Sequence, residues 1–528
     1  MFYNSSDSFE FNDCISRGAC SVSPNISSMQ EIMFILLRQI SYYILKLKNF
    51  GIEKENIIYD IMFQLAFIDS LKDLSEAQVL ELFSKQYNNF VKTRKEYMKL
   101  CRENNSQCED LKNLLKFSAK TNLSSILKRG DREFLQKYKR LGLNEKYYSE
   151  ILSGVIKSVS VNWINLHDYG SYAKFSSDSV LNALNLFNSS RVSPQKIKLY
   201  IDELAKYDIE LLKQINELQT EKFGQIQLTA VSTSTKPNKA IMVSGSNLND
   251  LKTFLDVLDE DIDVYTNGNL MIAHAFPFFK EYKTLKGHFG SGVSNTILDF
   301  ATFPGAILLT RNETQNIEYL YRGRLFTTDK VAAKGVVKIE NNDFSPLIDS
   351  ARQAKGFAKG QQRKEEFIGY DESEVNAELN KIIEKNPEKI FIIGPSNLTV
   401  DKIDYFKKFF CNMPQNTYAI SFSYNPKLEN VLHINIGNDY AVLYGVLHAI
   451  LQKIPVNSDK LAFFLTKCDV NSLSNIINLK NNGAKDIFLS DCPPLVINPA
   501  VLKAFIKLYN INEITTPKED LEKLKKGN

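Results

Sequence analysis

Apolar residues recur at three- and four-residue steps through the first 230 or so positions, a spacing typical of amphipathic helices. Ser193 and Pro194 suit the first turn of a long helix that runs past Leu218 and ends before Gly224. One run of β-branched residues, 155–161, gives a weak strand signal. We therefore predict an N-terminal helical domain of two stacked bundles. Its clearest helical segments are 57–71, 79–100 and 111–138.

The most apolar early stretch, 29–47, is predicted to be a soluble core helix. Glu31 and Arg38 interrupt it, and a membrane span needs about 20 nearly uninterrupted apolar residues. Ser28 and Glu31 have capping-box spacing, and Gly51 follows where a helix would stop. The N-terminus shows neither the basic nor the apolar region of a secretory signal, so a cytoplasmic location is expected.

After Lys239 the pattern changes to short, continuously apolar runs that alternate with helical stretches. Such runs indicate parallel strands covered on both faces, which predicts two Rossmann-like α/β domains. The polar segment 355–376 interrupts the alternation and is interpreted as their connection. The predicted domains are 1–236, 237–368 and 369–528. The predicted strands are 240–244, 262–266, 306–310, 390–393, 418–422, 432–436, 462–466 and 486–489.

Ligands of open parallel sheets bind at the carboxyl ends of the strands, which nominates candidate positions directly. Each of these residues follows a predicted strand by one to four positions, and together they include two carboxylates but no histidine or cysteine. They are Ser246, Asn267, Asn269, Glu313, Ser396, Tyr424, Asn438 and Asp469.

Charge and cysteine content narrow the classes of function. A net charge of +4 on 528 residues gives no electrostatic reason to expect a nucleic-acid or membrane partner. Seven dispersed cysteines without a Cys-x-x-Cys pair indicate reduced thiols in a cytosol-like compartment. The five histidines do not form a zinc-site pattern.

The second half of the chain contains an ordered series of distinctive segments, which include KAIMVSGSNLNDLKTFL, VYTNGNLMIAHAFP, GRLFTTDKVAAKGVVKIENNDFSPLI and LAFFLTKCDVNSLSNIINLKNNGAKDIFLSDCPP. This series resembles the hybrid cluster (prismane) protein family. The resemblance implies a helical domain followed by two Rossmann-like domains. It also implies hydroxylamine reductase activity, a hybrid iron–sulfur–oxygen cluster at the domain junction and a 4Fe–4S cubane near the N-terminus.

The family's cluster ligands fall on other residue types in this chain. The hybrid-cluster histidine falls on Ser246, and a glutamate falls on Asn269. Cysteines fall on Glu313, Ser396 and Tyr424, with one more lost around Asn438, and the final glutamate falls on Asp469. Of the cubane cysteines, two fall on Tyr3 and Ser6, while Cys14 and Cys20 keep the second pair.

These replacements change what the site is expected to bind. Serine, asparagine and tyrosine do not routinely replace a thiolate on iron, so no cluster and no reductase activity are expected. Cys14 and Cys20 are either a remnant metal pair or ordinary thiols. Glu313 and Asp469, with Asn269 and Ser246, either bind a hard cation such as Mg²⁺ or are polar residues that satisfy strand ends. For Asp469 a helix N-cap is a sufficient explanation.

Three functional hypotheses follow. The first is a degenerate family member that acts as a binding or regulatory scaffold, with a protein partner or a small molecule in the interdomain cleft. The second is a hydroxylamine reductase-type oxidoreductase with a rearranged metal site on Glu313, Asp469 and nearby thiols such as Cys468. The third is a hard-metal or phosphate-binding enzyme in the same cleft; Gly290 and Gly292 give it only a weak phosphate-loop signal.

Overall fold

The computed structural model describes residues 24–117, 122–140, 142–189, 192–290, 296–310, 323–333, 335–395, 400–467, 469–490 and 499–525. They divide into two compact units. The helical unit comprises the described residues of 1–211, 469–478 and 492–510, and the sheet unit comprises the others. Both the helical N-terminal region and the two parallel-sheet α/β domains that the sequence predicts are present. The domain boundaries at 236 and 368 stay a prediction.

The helical unit is built on a buried first helix. Gly130 allows α4 to lie directly on α1, because a Cβ at that position would come within 2.2 Å of the Ser28 backbone oxygen. Trp163 in α5 is fully buried and donates from Nε1 to the Ala173 oxygen over 3.0 Å. The helices are α1 (Pro24–Lys48), α2 (Glu55–Phe67), α3 (Glu76–Glu103), α4 (Leu123–Arg140), α5 (Leu143–His167) and α6 (Lys174–Leu186), with a 3₁₀ segment at Ile68–Asp73.

Three local predictions for this region are wrong. The segment 155–161 lies inside α5 because its apolar residues, including Val155 and Val159, recur at helical spacing and are fully buried. The predicted capping box fails because α1 already begins at Pro24, and the Ser28 hydroxyl donates to Asp131 on α4 instead. The predicted helix 111–138 begins only at Leu123. By contrast, the long helix α7 (Pro194–Phe223) ends directly before Gly224, as predicted.

The sheet unit contains two six-stranded parallel sheets. The order of sheet A is β4-β3-β2-β5-β6-β7, and that of sheet B is β11-β10-β9-β12-β13-β14. The strands of sheet A are β2 (Ala240–Ser244), β3 (Asp263–Asn267), β4 (Leu285–His288), β5 (Ala306–Leu309), β6 (Leu325–Thr327) and β7 (Val337–Lys338). Those of sheet B are β9 (Lys389–Gly394), β10 (Thr417–Ser421), β11 (Val431–His433), β12 (Leu461–Leu465), β13 (Asp486–Leu489) and β14 (Asn512–Glu513).

The predicted connection 355–376 is partly ordered as a strand. β8 (Glu366–Ile368) pairs antiparallel with β1 (Thr229–Val231). The helices of the sheet unit are α8 (Leu248–Leu255), α9 (Thr296–Thr302), α10 (Ser345–Gln353), α11 (Glu372–Glu384), α12 (Val400–Cys411), α13 (Tyr440–Lys453) and α16 (Pro517–Lys525). Most of α14 (Val470–Asn481) and all of α15 (Pro499–Tyr509) belong to the helical unit. Two 3₁₀ segments, Gly268–Ala275 and Pro277–Glu281, follow β3.

Candidate functional site

Both sheets have the same strand order. When the six strands of each sheet are numbered along the chain, they lie side by side in the order 3-2-1-4-5-6. The direction of winding reverses between the first and fourth strands, and ligands of such sheets bind at the carboxyl ends there. In sheet A this switch point lies between β2 and β5, and in sheet B it lies between β9 and β12. The predicted positions Ser246, Glu313, Ser396 and Asp469 follow these four strands. Glu313 and Ser396 lie outside the described residues.

At the switch point of sheet A, hydrogen bonds tie the end of β2 to the end of β5. Thr310 donates from its backbone nitrogen to the Ser244 oxygen over 2.8 Å, and its hydroxyl accepts from the Asn247 nitrogen over 3.3 Å. Asn247 then caps α8 by accepting from the nitrogens of the next helical turn. Ser246 sits in this turn with an exposed side chain.

The carboxyl end of β3 holds a buried amide network. Asn267 accepts from the Ser244 hydroxyl over 2.8 Å and donates to the Phe289 oxygen over 2.7 Å. Two residues later, the Asn269 Oδ1 atom is enclosed and has no hydrogen-bond partner among the described residues. A buried amide oxygen without a partner carries a desolvation cost of about 1–3 kcal/mol, so it is a natural point of attachment for a ligand.

The structure brings two of the predicted positions together. A Cβ at Gly437 would lie 3.4 Å from the Asn269 backbone oxygen and 3.2 Å from Ile272 Cβ. The next residue, Asn438, adopts a left-handed φ of 61° shortly before α13. The end of β3 in sheet A and the segment after β11 in sheet B therefore lie close together in the sheet unit.

Tyr424 belongs to the core of sheet B. Its ring stacks on Phe410 at a centroid distance of 6.3 Å, and its backbone nitrogen donates to the Ser421 hydroxyl over 3.2 Å. It also packs against the aromatic cluster that contains Phe391 and Phe464. These packing contacts are a sufficient explanation for a tyrosine at position 424.

Asp469 lies in the helical unit and caps α14. Its Oδ1 atom accepts from the Ser472 nitrogen and from the Ser472 hydroxyl, each over 3.0 Å. This geometry agrees with the N-cap explanation. The cation site predicted for Asp469 and Glu313 stays a prediction, because Glu313 is not described.

His274, within the family-like AHAFP segment, is a half-buried histidine with a structural partner. Its Nε2 atom and the Nδ1 atom of His288 each lie 3.0 Å from the Thr266 hydroxyl. Burial lowers the pKa of His274 to about 4 and that of His288 to about 3, and the neighbouring His274 also depresses the latter. Both rings are therefore neutral at physiological pH.

Sequence reasoning missed a polar group around Asp439, the cap of α13. Asp439 is half-buried, and desolvation raises its pKa, while hydrogen bonds from Val442 and Gln219 and the charge of Lys467 oppose that rise. Gln219 donates to Asp439 Oδ2 over 3.2 Å, and its own Oε1 atom is enclosed without a partner among the described residues. The available signal was the Asn-Asp pair just before an apolar helical run, a usual N-cap pattern.

The described residues contain no group of three or more histidines, cysteines or carboxylates placed to hold a metal ion. Their cysteines are Cys101, which is buried, Cys108, which is half-buried, and the exposed Cys411. Cys14, Cys20 and Cys468 lie outside the described residues. Within the same ranges, no helix is both long enough and apolar enough to cross a bilayer.

Comparison with known proteins gives a consistent family signal. A model of the Prismane/CO dehydrogenase family matches residues 10–422. A hydroxylamine reductase of Thermosipho melanesiensis is 24% identical over 559 residues, covering 99% of each chain. One from Thermodesulfovibrio yellowstonii is 23% identical over 541 residues, covering 97% of each.

Two further matches are partial or distant. A hydroxylamine reductase of Methanocella arvoryzae is 29% identical over 334 residues, which cover 60% of this chain and 62% of that protein. Among solved structures, the alpha subunits of an acetyl-CoA synthase/carbon monoxide dehydrogenase match at 12% identity and a TM-score of 0.49, covering 96% of this chain and 83% of that one.

Proposed function

Because this chain belongs to the Prismane/CO dehydrogenase family, we propose that it keeps the family scaffold as a binding or regulatory protein, without a hybrid cluster and without reductase activity. One observation carries this proposal. The positions that resemble the cluster-ligand positions hold oxygen and amide groups, and Asn269 presents an enclosed Oδ1 atom without a partner among the described residues.

The residue types explain why a cluster is not expected. Iron–sulfur clusters are held by thiolates, and Ser246, Asn269 and Tyr424 supply none. Tyr424 is committed to packing, and Asp469 Oδ1 is committed to capping α14. This donor set does not fit the family's cofactor. Without a cluster the chain has no store for the electrons that reduction of an N–O bond needs.

A ligand that donates hydrogen bonds suits the carboxyl ends of the strands better than an iron–sulfur cluster does. Asn269 Oδ1 and Gln219 Oε1 are both enclosed acceptors in the sheet unit without described partners. A small molecule with N–H or O–H donors would satisfy them, as would a donor from a partner protein. The proposed occupant is therefore a donor-bearing ligand or partner at the carboxyl ends of the strands, with neither nucleic acid nor membrane involved.

The deciding experiment measures iron and acid-labile sulfide per chain after anaerobic purification, together with hydroxylamine-dependent oxidation of a reduced viologen dye. The Thermosipho melanesiensis hydroxylamine reductase, prepared in parallel, is the positive control. We expect well-folded protein without stoichiometric iron and without turnover. Several irons per chain with turnover would overturn the proposal. In that case, loss of bound iron and of turnover in Asp469→Ala and in Cys468→Ser would establish the rearranged metal site.

A further inference from the structure

The helical unit contains a cavity of about 400 Å³. Its walls come from α1, the segment 110–115, α4, α5, the end of α6 and the start of α7. About half of the lining residues are apolar, with side chains such as Ile35, Leu111, Leu152, Leu186, Phe187 and Ile197. Cavities of this size and character typically bind small molecules that carry an apolar body.

Arg38 on α1 places a half-buried positive charge in the wall of this cavity. The Arg38 Nε atom is enclosed and has no hydrogen-bond partner among the described residues. Burial lowers the pKa of Arg38, and the charges of Glu31 and Glu133 oppose that effect without reversing it. Because Glu31 and Glu133 offset only part of the cost of desolvation, this guanidinium favours a bound anion.

The carboxylates of the cavity wall have cationic partners of their own. Glu133 pairs with Arg129 Nη2 over 2.7 Å. Asp110 accepts from Arg94 Nε over 3.2 Å and from the Tyr43 hydroxyl. Neither carboxylate of the wall is therefore dedicated to Arg38, and Lys112 adds a second cation to the lining.

Hydrogen bonds hold the polar wall of the cavity in place. Gln39 donates to the Asn113 oxygen over 2.8 Å and accepts from the Leu115 nitrogen over 3.1 Å. Asn188 donates to the Arg38 backbone oxygen over 2.8 Å. The backbone around the guanidinium is thus fixed before any ligand arrives, which lowers the entropic cost of binding.

We propose that this cavity binds an organic acid, with its carboxylate on Arg38 and its apolar body against Leu152 and Leu186. The planar guanidinium matches a carboxylate in a two-point contact, and the aliphatic wall selects against inorganic anions. The site lies in the helical unit and is independent of whether a cluster binds elsewhere, so it goes beyond the proposed function.

The test is a thermal-shift and calorimetric titration of the full chain. The probes are hexanoate and 3-phenylpropanoate, with hexanamide as the uncharged counterpart and inorganic phosphate and sulfate as bare anions. We expect the two carboxylates to raise Tm by several degrees at saturation, while hexanamide, phosphate and sulfate have little effect. An equal response to hexanamide, or binding of phosphate alone, would overturn the proposal.

Three variants localise the effect. Arg38→Met removes the charge at similar volume and should abolish the response to hexanoate. Leu152→Trp should abolish it by filling the cavity. Arg352→Met removes an exposed guanidinium, which pairs with Asp259 and Asp261, and should leave the response intact.

Folding of each variant is checked by its melt without ligand. Arg38→Met also removes a positive charge from beside Glu31 and Glu133, so its response to hexanoate is read only if its melt without ligand is cooperative. An unchanged hexanoate response in both Arg38→Met and Leu152→Trp would sink the assignment.

Discussion

His288 Nδ1 lies 3.0 Å from the Thr266 hydroxyl, on the buried side of sheet A. His274 Nε2 lies at the same distance from that hydroxyl. A hydroxyl has one proton, so at least one of the two rings donates an N–H to Thr266, whose own proton goes to the other ring or to the Gly287 oxygen 3.5 Å away. The two neutral histidines thus share one hydroxyl.

This pair predicts destabilisation of the sheet unit by mild acid. The folded pKa values of about 4 and about 3 lie below the usual value, so the unfolded state binds protons first. Stability is retained above about pH 6.5 and is lost as the pH falls, by about 2 kcal/mol per ring between pH 6.5 and 5. Hydrogen exchange of peptides from β3 and β4 should accelerate over this range. In His288→Gln the dependence should be about half as steep; an unchanged slope would contradict the assignment.

The helical unit should respond to acid in the opposite direction. Asp208 is buried and accepts from Asn162 Nδ2 over 2.7 Å, and burial raises its pKa to about 6. Its folded pKa is above the unfolded value, so its stabilising contribution is present below about pH 4 and is lost as the pH rises through 6. Asp208→Asn should therefore flatten this dependence and gain up to about 3 kcal/mol at pH 7, less any hydrogen bond lost from Ser158.

Trp163 provides the measurement for that prediction. It is the only tryptophan of the chain and lies in α5, fully buried, so its fluorescence follows the helical unit. Denaturant melts monitored at Trp163 should differ between Asp208→Asn and the unmodified chain at pH 7 and converge near pH 4. A constant difference at every pH would show that Asp208 does not titrate in this window.

Gly437→Ala should be costlier than an alanine at another left-handed glycine. Its φ is +58°, and the added Cβ would meet Ile368 Cδ1 at 3.1 Å, Ile272 Cβ at 3.2 Å and the Asn269 oxygen. Gly51, with φ +74° and nothing within 4 Å of such a Cβ, is the matched control. We expect about 1 kcal/mol for Gly51→Ala from backbone strain alone, and about 1–3 kcal/mol more for Gly437→Ala from crowding. Equal costs in urea melts would mean that the contact with residues 269–272 does not form.

Removal of two helix caps should also have unequal effects. Asp371 caps α11 from an exposed position, accepting from the Ser373 and Glu374 nitrogens over 2.8 and 3.0 Å. Asp439 caps α13 in the same way but is half-buried and also accepts from Gln219. Asp371→Ala should lower stability through the lost cap alone, and Asp439→Ala should lower it more, because the Gln219 amide then loses its acceptor as well. Chemical denaturation of both variants compares the two costs directly, and a smaller loss for Asp439→Ala would be inconsistent with the buried network.

The sequence predicts the sheets well because their strands are continuous apolar runs. The segments 240–244 and 486–489 agree with the observed strands to the residue. The strands β4, β6, β7 and β14 were not predicted. In β4 and β7 few residues are apolar: LKGH has a lysine and a glycine, and Val337–Lys338 is exposed. β6 and β14 are only three and two residues long, which is too short for a recognisable pattern. Their pairing depends on the neighbouring strand rather than on their own pattern.

The candidate site is harder to predict because enclosure depends on distant residues. That Asn269 follows a strand is evident from the sequence, but its missing partner is not. The sequence also does not show which carboxylates pair with Arg38. Glu133 is one candidate, but in the structure it forms an ion pair with Arg129. The partners of the AHAFP histidine, Thr266 and His288, are likewise not evident from the sequence.

The helical unit is not a contiguous stretch of chain. Residues 469–478 belong to it, and there the Asn471 side chain accepts from Asn162 on α5 over 2.9 Å. Residues 499–510 belong to it as well, and α15 packs against α5. During synthesis, the amino-terminal helices therefore leave the ribosome long before the pieces that complete their core. A chain truncated before residue 469 would lack both, so an isolated N-terminal fragment is a poor stand-in for this unit, and a late frameshift would damage the earliest part of the fold.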